Sequence, residues 1–455
     1  MKQTMRMKKK WLGLFMTLSI LITTLSPVWA AEQPTMDVSK WAITTLNEGE
    51  KYGIYPIEWY YDGFKSEISS EKLEALIEGV DAKLATVGNK VDFKALDTAN
   101  DRTREDVLIR LYNLLGSYGL VEGDDAIAYM QSEGIVNGTS KGIELNLACS
   151  AEQAVVLAIH TVQVEFDKMD AGAKGLFWKV EKNNNTVYLL GSVHVGNTTM
   201  YPLDNDITDA FNLSDMLLVE ADMINSAAGV EYYMSKAVYS DGTTIKDHIS
   251  AELYTKLLTV FEKYNLDPAV YGTFKPWVLA NELNVFSMTS SETAEDKAKS
   301  ANLGIDMSLT INAYLSQKPV VELEGIPYQT DLFDNLTQVY QEEYLGSIIE
   351  NILNTGNGDV SEDAQLLTKW LDYWIAGDLT EFKKNFAADS SLEDSELTSM
   401  LYGKRDVDMT DKIQNLLDQE GKATYFVVVG SGHFINDNSI VDLLTEKGYK
   451  VEWMY

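Results

Sequence analysis

Two of the chain's four histidines follow apolar, β-rich runs at one spacing. Thr186-Val-Tyr-Leu-Leu-Gly191-Ser-Val-His194 is echoed by Thr424-Tyr-Phe-Val-Val-Val-Gly430-Ser-Gly-His433. A third run, Met216-Leu-Leu-Val-Glu220, ends on a carboxylate. If these runs are buried strands of an open α/β sheet, His194, Glu220 and His433 all emerge at carboxyl ends, where ligands gather. Imidazole nitrogens and a carboxylate suit a borderline divalent ion of the Mn, Co or Zn class, and an open coordination position would hold a water made more acidic by the ion. Gly191 and Gly430 would let the chain either turn sharply or approach a ligand closely. The bland alternatives are a turn with a surface or hydrogen-bonded histidine and a strand-end glutamate facing water. Recurrence of Gly-x-x-His in one domain leaves both readings open. His160 and His248 read as packing or surface residues.

The elements that must position these groups come from periodicity. Strand, polar turn and strand over 176–181, 182–185 and 186–190 predict a hairpin that opens a second domain. Further strands are expected at 216–220, 319–324, 425–429 and 449–453. Helices are expected at 206–212, 251–264, 276–288, 306–316, 328–339, 361–375, 379–386, 410–420 and 440–447. Pro276 is acceptable in a first turn. Strands separated by helices predict an α/β (or α+β) domain over 173–455 with a small, partly parallel sheet and many helices. The small-residue stretch Asp170-Ala-Gly-Ala-Lys-Gly175 is the expected linker.

Residues 31–172 read as an all-α region with weak internal repetition: helix-turn-helix units over 41–77 and 126–157, and between them a second unit, without a clear first half, centred on 101–111. Ser69 and Ser150 stand where a hydroxyl caps a helix. These units resemble S-layer homology modules, whose helix-opening Thr-Arg-Ala-Glu motif helps bind secondary cell-wall polymer. Thr103-Arg104-Glu105 keeps the arginine, whereas Ser70-Glu71 and Ala151-Glu152-Gln153 do not. The resemblance implies a possible cell-wall polymer as partner, with Thr103 and Arg104 as the candidates.

Composition narrows the partners. A formal charge of −32 argues against nucleic acid, whose non-specific binding needs a basic surface. Residues 1–30 carry five cations, an apolar stretch and Ser26-Pro-Val-Trp-Ala30, the pattern of a secretory signal cleaved after Ala30. Cleavage would take the net charge from −32 to −37. A secreted or cell-surface location is therefore expected, and no later run is long and apolar enough to span a bilayer. Cys149 is the single cysteine, which excludes an intramolecular disulfide.

The paired motifs, together with Leu176-Phe-Trp-Lys-Val, Met200-Tyr-Pro-Leu, Val219-Glu220 and Lys447-Gly-Tyr-Lys-Val, resemble the TraB/PrgY/GumN family, which includes the TIKI metalloproteases. The resemblance runs from about Gly175 to Tyr455. It implies that His194 and His433 bind metal and that Glu220 is a ligand or the base that activates water. Gly304-Ile-Asp306 and Leu323-Glu324 match middle motifs of the family. Asp306 then reads as a helix cap and Glu324 as a site candidate. Arg405 matches a family arginine, with an oxyanion-stabilising role or a structural ion pair as the alternatives. The implied function is a metal-dependent hydrolase acting on a peptide or protein substrate. Two other readings stand beside it: a surface module that sequesters a peptide without turnover, and an N-terminal half that carries the function while the α/β domain is a passenger.

Overall fold

The computed structural model describes residues 36–121, 123–289, 294–355, 362–389 and 396–455. The expected signal segment, 1–30, lies outside the described residues. The described chain forms two compact units. One comprises residues 36–173 with 198–206, the other 174–197 with 207–455.

The N-terminal unit is all-α, with helices Ile43–Glu50, Ser70–Leu84, Arg104–Gly116, Ala126–Ser132 and Ala151–Lys168. Three of its five helices open on hydroxyl caps. The Ser69 side chain accepts the Lys72 amide, and Ser150 and Gln153 form a reciprocal capping box. Thr103 caps its own helix by accepting the Asp106 amide. Arg104 is held by the Ile143 carbonyl at 2.8 Å. Leu76, Val80, Leu111, Ile159 and Val162 are fully buried among these helices.

The second unit is built on a six-stranded sheet. Its strands are β1 (Leu176–Lys182), β2 (Asn185–Ser192), β3 (Met216–Val219), β4 (Val320–Glu322), β5 (Thr424–Gly430) and β6 (Val451–Trp453), in the order β4-β3-β5-β2-β1-β6. The pairs β2/β5, β5/β3 and β3/β4 are parallel, whereas β1 pairs antiparallel with both β2 and β6. The fold is mixed α/β with an all-α region before the sheet, as the alternation of signals indicates.

The hairpin turn is as tight as it can be. Asn183 and Asn184 sit at φ 53° and 69°, the left-handed pair that matches strand twist and that asparagine tolerates. β5 is apolar throughout and buried from Tyr425 onward, as expected of a central parallel strand. Each of its three valines contributes roughly 1.5–3 kcal/mol on burial.

The register of β2 on β5 places the two histidine motifs side by side. Gly191 pairs with Val429 and Ser192 with Gly430, an offset of one residue. β2 runs through Gly191 to Ser192, whereas β5 ends on Gly430. Neither glycine is among the residues with positive φ. Close approach is what Gly191 supplies, since a Cβ there would lie 2.8 Å from Ser431 Oγ and 3.1 Å from its Cα. Trp374 donates its indole N–H to the Gly191 carbonyl at 2.7 Å from below this point.

Several boundaries differ from expectation. The helix expected at 410–420 is Lys404–Asp418, because Gly403 at φ 68° allows an earlier start. The helix expected to end near 339 is two, Ile326–Asp334 and Gln338–Asn354, the second opened by the Thr337 hydroxyl cap. β4 and β6 are shorter than the apolar runs that suggested them.

Candidate functional site

His194 lies two residues beyond β2. Its segment is pinned from the far side: Ile305 donates its amide to the Val193 carbonyl at 3.0 Å, and Gly196 donates to the Ser300 carbonyl at 2.8 Å. Gly304 sits so close that a Cβ there would fall 2.4 Å from the His194 carbonyl oxygen. This contact aligns the helix Ile305–Leu315, whose Asp306 meets His194 Nδ1 at 2.9 Å. Asp306 is therefore not a cap. The N-cap of its helix is Gly304, with no side-chain cap.

His433 sits in a one-turn helix, Gly432–Ile435, directly after β5. Its Nδ1 is 2.6 Å from Asp406 Oδ1. Asp406 Oδ2 accepts from the Gly403 amide and from Asn436 Nδ2, each at 3.2 Å. Both motif histidines thus have an aspartate on Nδ1, the arrangement that orients metal-bound and proton-transferring imidazoles alike. His433 Nε2 is buried and makes no hydrogen bond among the described residues. Glu220 Oε1 stands 3.9 Å from it, beyond hydrogen-bond reach.

Glu220 follows β3 and is the hub of the site. Its Oε1 accepts the Gly430 amide at 2.6 Å, and its Oε2 accepts from Arg405 Nη2 at 3.1 Å and Gln329 Nε2 at 2.9 Å. The Glu220 carbonyl receives the amides of Glu324 and Gly325, which brings a second carboxylate alongside. Arg405 grips Glu324 in a fork, Nε to Oε1 and Nη2 to Oε2, both at 2.7 Å. Its Nη1 donates to the Leu401 carbonyl. Of the two roles left open for Arg405, these bonds and its 1% exposure describe the buried ion pair. Gln329 also bridges the carboxylates, reaching Glu324 Oε2 at 3.1 Å.

Electrostatics tie the group together. Burial pulls the His194 pKa down, but the Asp306 and Glu220 carboxylates outweigh it and the net shift is upward. Burial pushes Glu324 up, yet the Arg405 guanidinium more than offsets this and holds it below its ordinary value. Arg405 itself loses hydration on burial and is raised overall by Glu324 and Glu220.

The donor chemistry can be set against that of a divalent ion. Glu220, Glu324, Asp306 and Asp406 face one guanidinium and two imidazoles, so with neutral rings the formal charge of these buried side chains is −3. A divalent cation would reduce it to −1. His433 Nε2 and the aspartate-backed rings fit metal ligation. Among the described residues, however, no three His, Cys, Asp or Glu converge into a metal-holding group. Glu220 accepts three hydrogen bonds, one on Oε1 and two on Oε2, which leaves a lone pair of Oε1 for an ion.

Glu220, Glu324, Arg405, Gln329 and the Gly430 amide share one hydrogen-bonded network, and His194–Asp306 and His433–Asp406 are two further hydrogen-bonded pairs. Thr103 and Arg104 belong to the other unit. His160 bonds the Ile135 carbonyl and His248 stacks on Tyr239, both packing roles. Sequence reasoning missed Asp406, Gln329 and Asn436. The early helix start after Gly403 is the signal that could have found Asp406. Gln329 and Asn436 carry none.

Comparison with known proteins identifies a family and distant relatives. The profile of the TraB/PrgY/gumN family matches residues 176–453. Uncharacterized protein YbaP of Escherichia coli (strain K12) is 23% identical over 261 residues, 57% of this chain and 88% of that protein. Metalloprotease TIKI1 of Danio rerio is 22% identical over 311 residues, 60% of this chain and 62% of that protein. The Metalloprotease TIKI homolog of Amphimedon queenslandica is 20% identical over 317 residues, 62% of each chain. This chain therefore spans less than two thirds of the TIKI proteins it matches. No solved structure matches it. With more than half of its length inside the matched profile, the chain belongs to the TraB/PrgY/gumN family.

Proposed function

We propose that the chain is a secreted or cell-surface metal-dependent hydrolase whose target is a peptide bond. The observation that carries the reading is the pair of buried, aspartate-backed histidines at the ends of adjacent parallel strands, with His433 Nε2 lacking a hydrogen bond beside Glu220. The names of the TIKI relatives support the metal and the peptide substrate.

His194 and His433 would hold the ion. When bound, a divalent ion polarises a carbonyl and makes water easier to deprotonate. The chain's own residues supply the rest. Asp306 and Asp406 fix the two rings through Nδ1. Glu220 is the carboxylate nearest His433 Nε2 and is the group placed to take a proton from an attacking water. Arg405 and Gln329 hold Glu220 and Glu324 at fixed separation, so the negative charge is oriented before substrate arrives. Burial excludes bulk water and strengthens each of these interactions.

The test is hydrolysis of a mixed peptide library by purified protein supplied with Mn²⁺, Co²⁺ or Zn²⁺, read by mass spectrometry. Cleavage that disappears in His433→Ala and Glu220→Gln is expected. A library left intact under every metal would end the hydrolase reading.

Burial favours a second reading, a module that binds a peptide or other ligand without turnover. Asp306, at 9%, is more exposed than His194, Glu220, Arg405, Asp406 or His433. A peptide retained intact by metal-loaded protein is its signature. For the N-terminal unit we propose contact with cell-wall polymer at a cavity of about 380 Å³ lined by Trp41, Arg104, Ile143, Gln153 and His160. Loss of sedimentation with purified cell walls in Arg104→Ala, with Thr103 intact, is the expected result. Equal sedimentation of the two proteins would remove it.

A further inference from the structure

Asp406 lies 2.6 Å from His433 Nδ1, where it can decide which nitrogen of that ring carries the proton. We infer that Asp406 is a positioning residue that locks His433 as the Nδ1–H tautomer and so keeps the lone pair on Nε2. The inference deepens the proposed function, since it concerns the same site, but it is read without substrate.

Asp406 is wholly buried and is met by three groups: His433 Nδ1 on Oδ1, and the Gly403 amide and Asn436 Nδ2 on Oδ2. The Gly403 amide can only donate, and Asn436 presents its Nδ2 to the carboxylate. A carboxylate accepts only, so at 2.6 Å the third must donate as well, and Nδ1 carries the hydrogen. Neutral imidazole has one N–H, which leaves Nε2 with its lone pair exposed to whatever it faces. Glu220 Oε1, 3.9 Å away, is too distant to hold a proton on Nε2.

The chain connectivity strengthens the assignment. Asp406 directly follows Arg405 in the first turn of the helix Lys404–Asp418. Adjacent helical residues point about 100° apart, so one turn delivers a cation to Glu220 and Glu324 and an anion to His433. The helix start therefore sets both the carboxylates and the ring.

Asp406→Asn reverses the tautomer by the same bookkeeping of hydrogen bonds. Its amide oxygen must face the Gly403 amide and Asn436, because an amide nitrogen there would oppose two donors. The NH₂ then faces His433 Nδ1, which has to accept, and the proton moves to Nε2. An aspartate-to-asparagine change beside a catalytic histidine acts in this way in serine proteases.

The experiment is nitrogen-15 spectroscopy of the full chain labelled in histidine, as purified and after chelation. His433 is identified by the loss of its signals in His433→Gln. Wild-type protein is expected to show Nδ1–H with Nε2 bare at neutral pH, and Asp406→Asn the opposite. Asn436→Ala, which leaves the carboxylate in place, keeps the wild-type pattern. A wild-type ring protonated on Nε2, or on both nitrogens at neutral pH, overturns the inference even if Asp406→Asn does not fold. So does an Asp406→Asn protein that retains Nδ1–H. Zn²⁺ titration supplies the second readout, with affinity expected to fall roughly 10–100-fold in Asp406→Asn. Failure of wild-type protein to bind Zn²⁺ would count against the proposed function while leaving the tautomer result to stand by itself.

Discussion

Replacing Arg405 by Met tests whether the network holds the second unit together. The guanidinium side chain is 1% exposed, and its partners Glu220 and Glu324 are 1% and 5% exposed at the side chain. Removing the cation leaves two buried carboxylates with Gln329 and the Gly430 amide as their main donors. Breaking a buried pair from one side costs about 3–5 kcal/mol. With a denaturant slope of about 3 kcal/mol/M or somewhat above, the urea midpoint falls by about 1 M. Trp277, Trp370 and Trp374 are buried in the same unit, so tryptophan fluorescence follows its unfolding. Arg405→Lys keeps the charge but not the fork onto Glu324, and a loss of about 1–3 kcal/mol is expected. Adding Glu324→Gln to Arg405→Met removes one stranded charge and should recover part of the stability. A loss under about 1 kcal/mol in Arg405→Met, with no recovery in the double variant, would refute the reasoning.

Other predictions address single contacts. Gly304→Ala puts a methyl against the His194 backbone; it should cost about 1–3 kcal/mol in urea unfolding and weaken Zn²⁺ binding, and unchanged binding would separate Gly304 from the site. Glu324 has a folded pKa below its unfolded value, so its contribution is complete above about pH 4.3 and is lost as pH falls through the lower folded value. Acid unfolding of Glu324→Gln should lack that component, and superimposable profiles would contradict the assignment. Cys149 is wholly buried, and burial pushes its thiol up to about 12. Ellman's reagent should therefore find roughly no reactive thiol at neutral pH and about one after denaturation, while rapid reaction of native protein would disprove its burial.

Much of the sheet was legible because its signals are local. The apolar run ending in Gly191, the Asn183-Asn184 turn and the Ser69 and Ser150 caps each follow from a few neighbouring residues. The histidines could be paired from the sequence because both motifs follow strands, and parallel register then sets them side by side. Asp306 was misjudged as a cap because spacing shows where a helix begins but not which way its carboxylate points. That direction depends on Gly304 packing against His194, more than a hundred residues earlier in the chain. Gln329 was invisible for the same reason, and Asp406 was missed because its helix was expected to begin only at 410. Their partners, His433 and Glu220, are brought near only once the sheet and the helices that carry these residues have packed.

The central claim is that His194 and His433 together hold one divalent ion. Its most direct measurement is metal content of the full chain after loading with Mn²⁺, Co²⁺ or Zn²⁺ and removal of free ion, by plasma mass spectrometry, for wild type, His194→Ala and His433→Ala. The account predicts roughly one equivalent of one of these ions in wild type and a large loss in each variant, because a site built on two imidazoles fails without either. Wild-type protein without bound metal, or variants that keep a full equivalent, would contradict it.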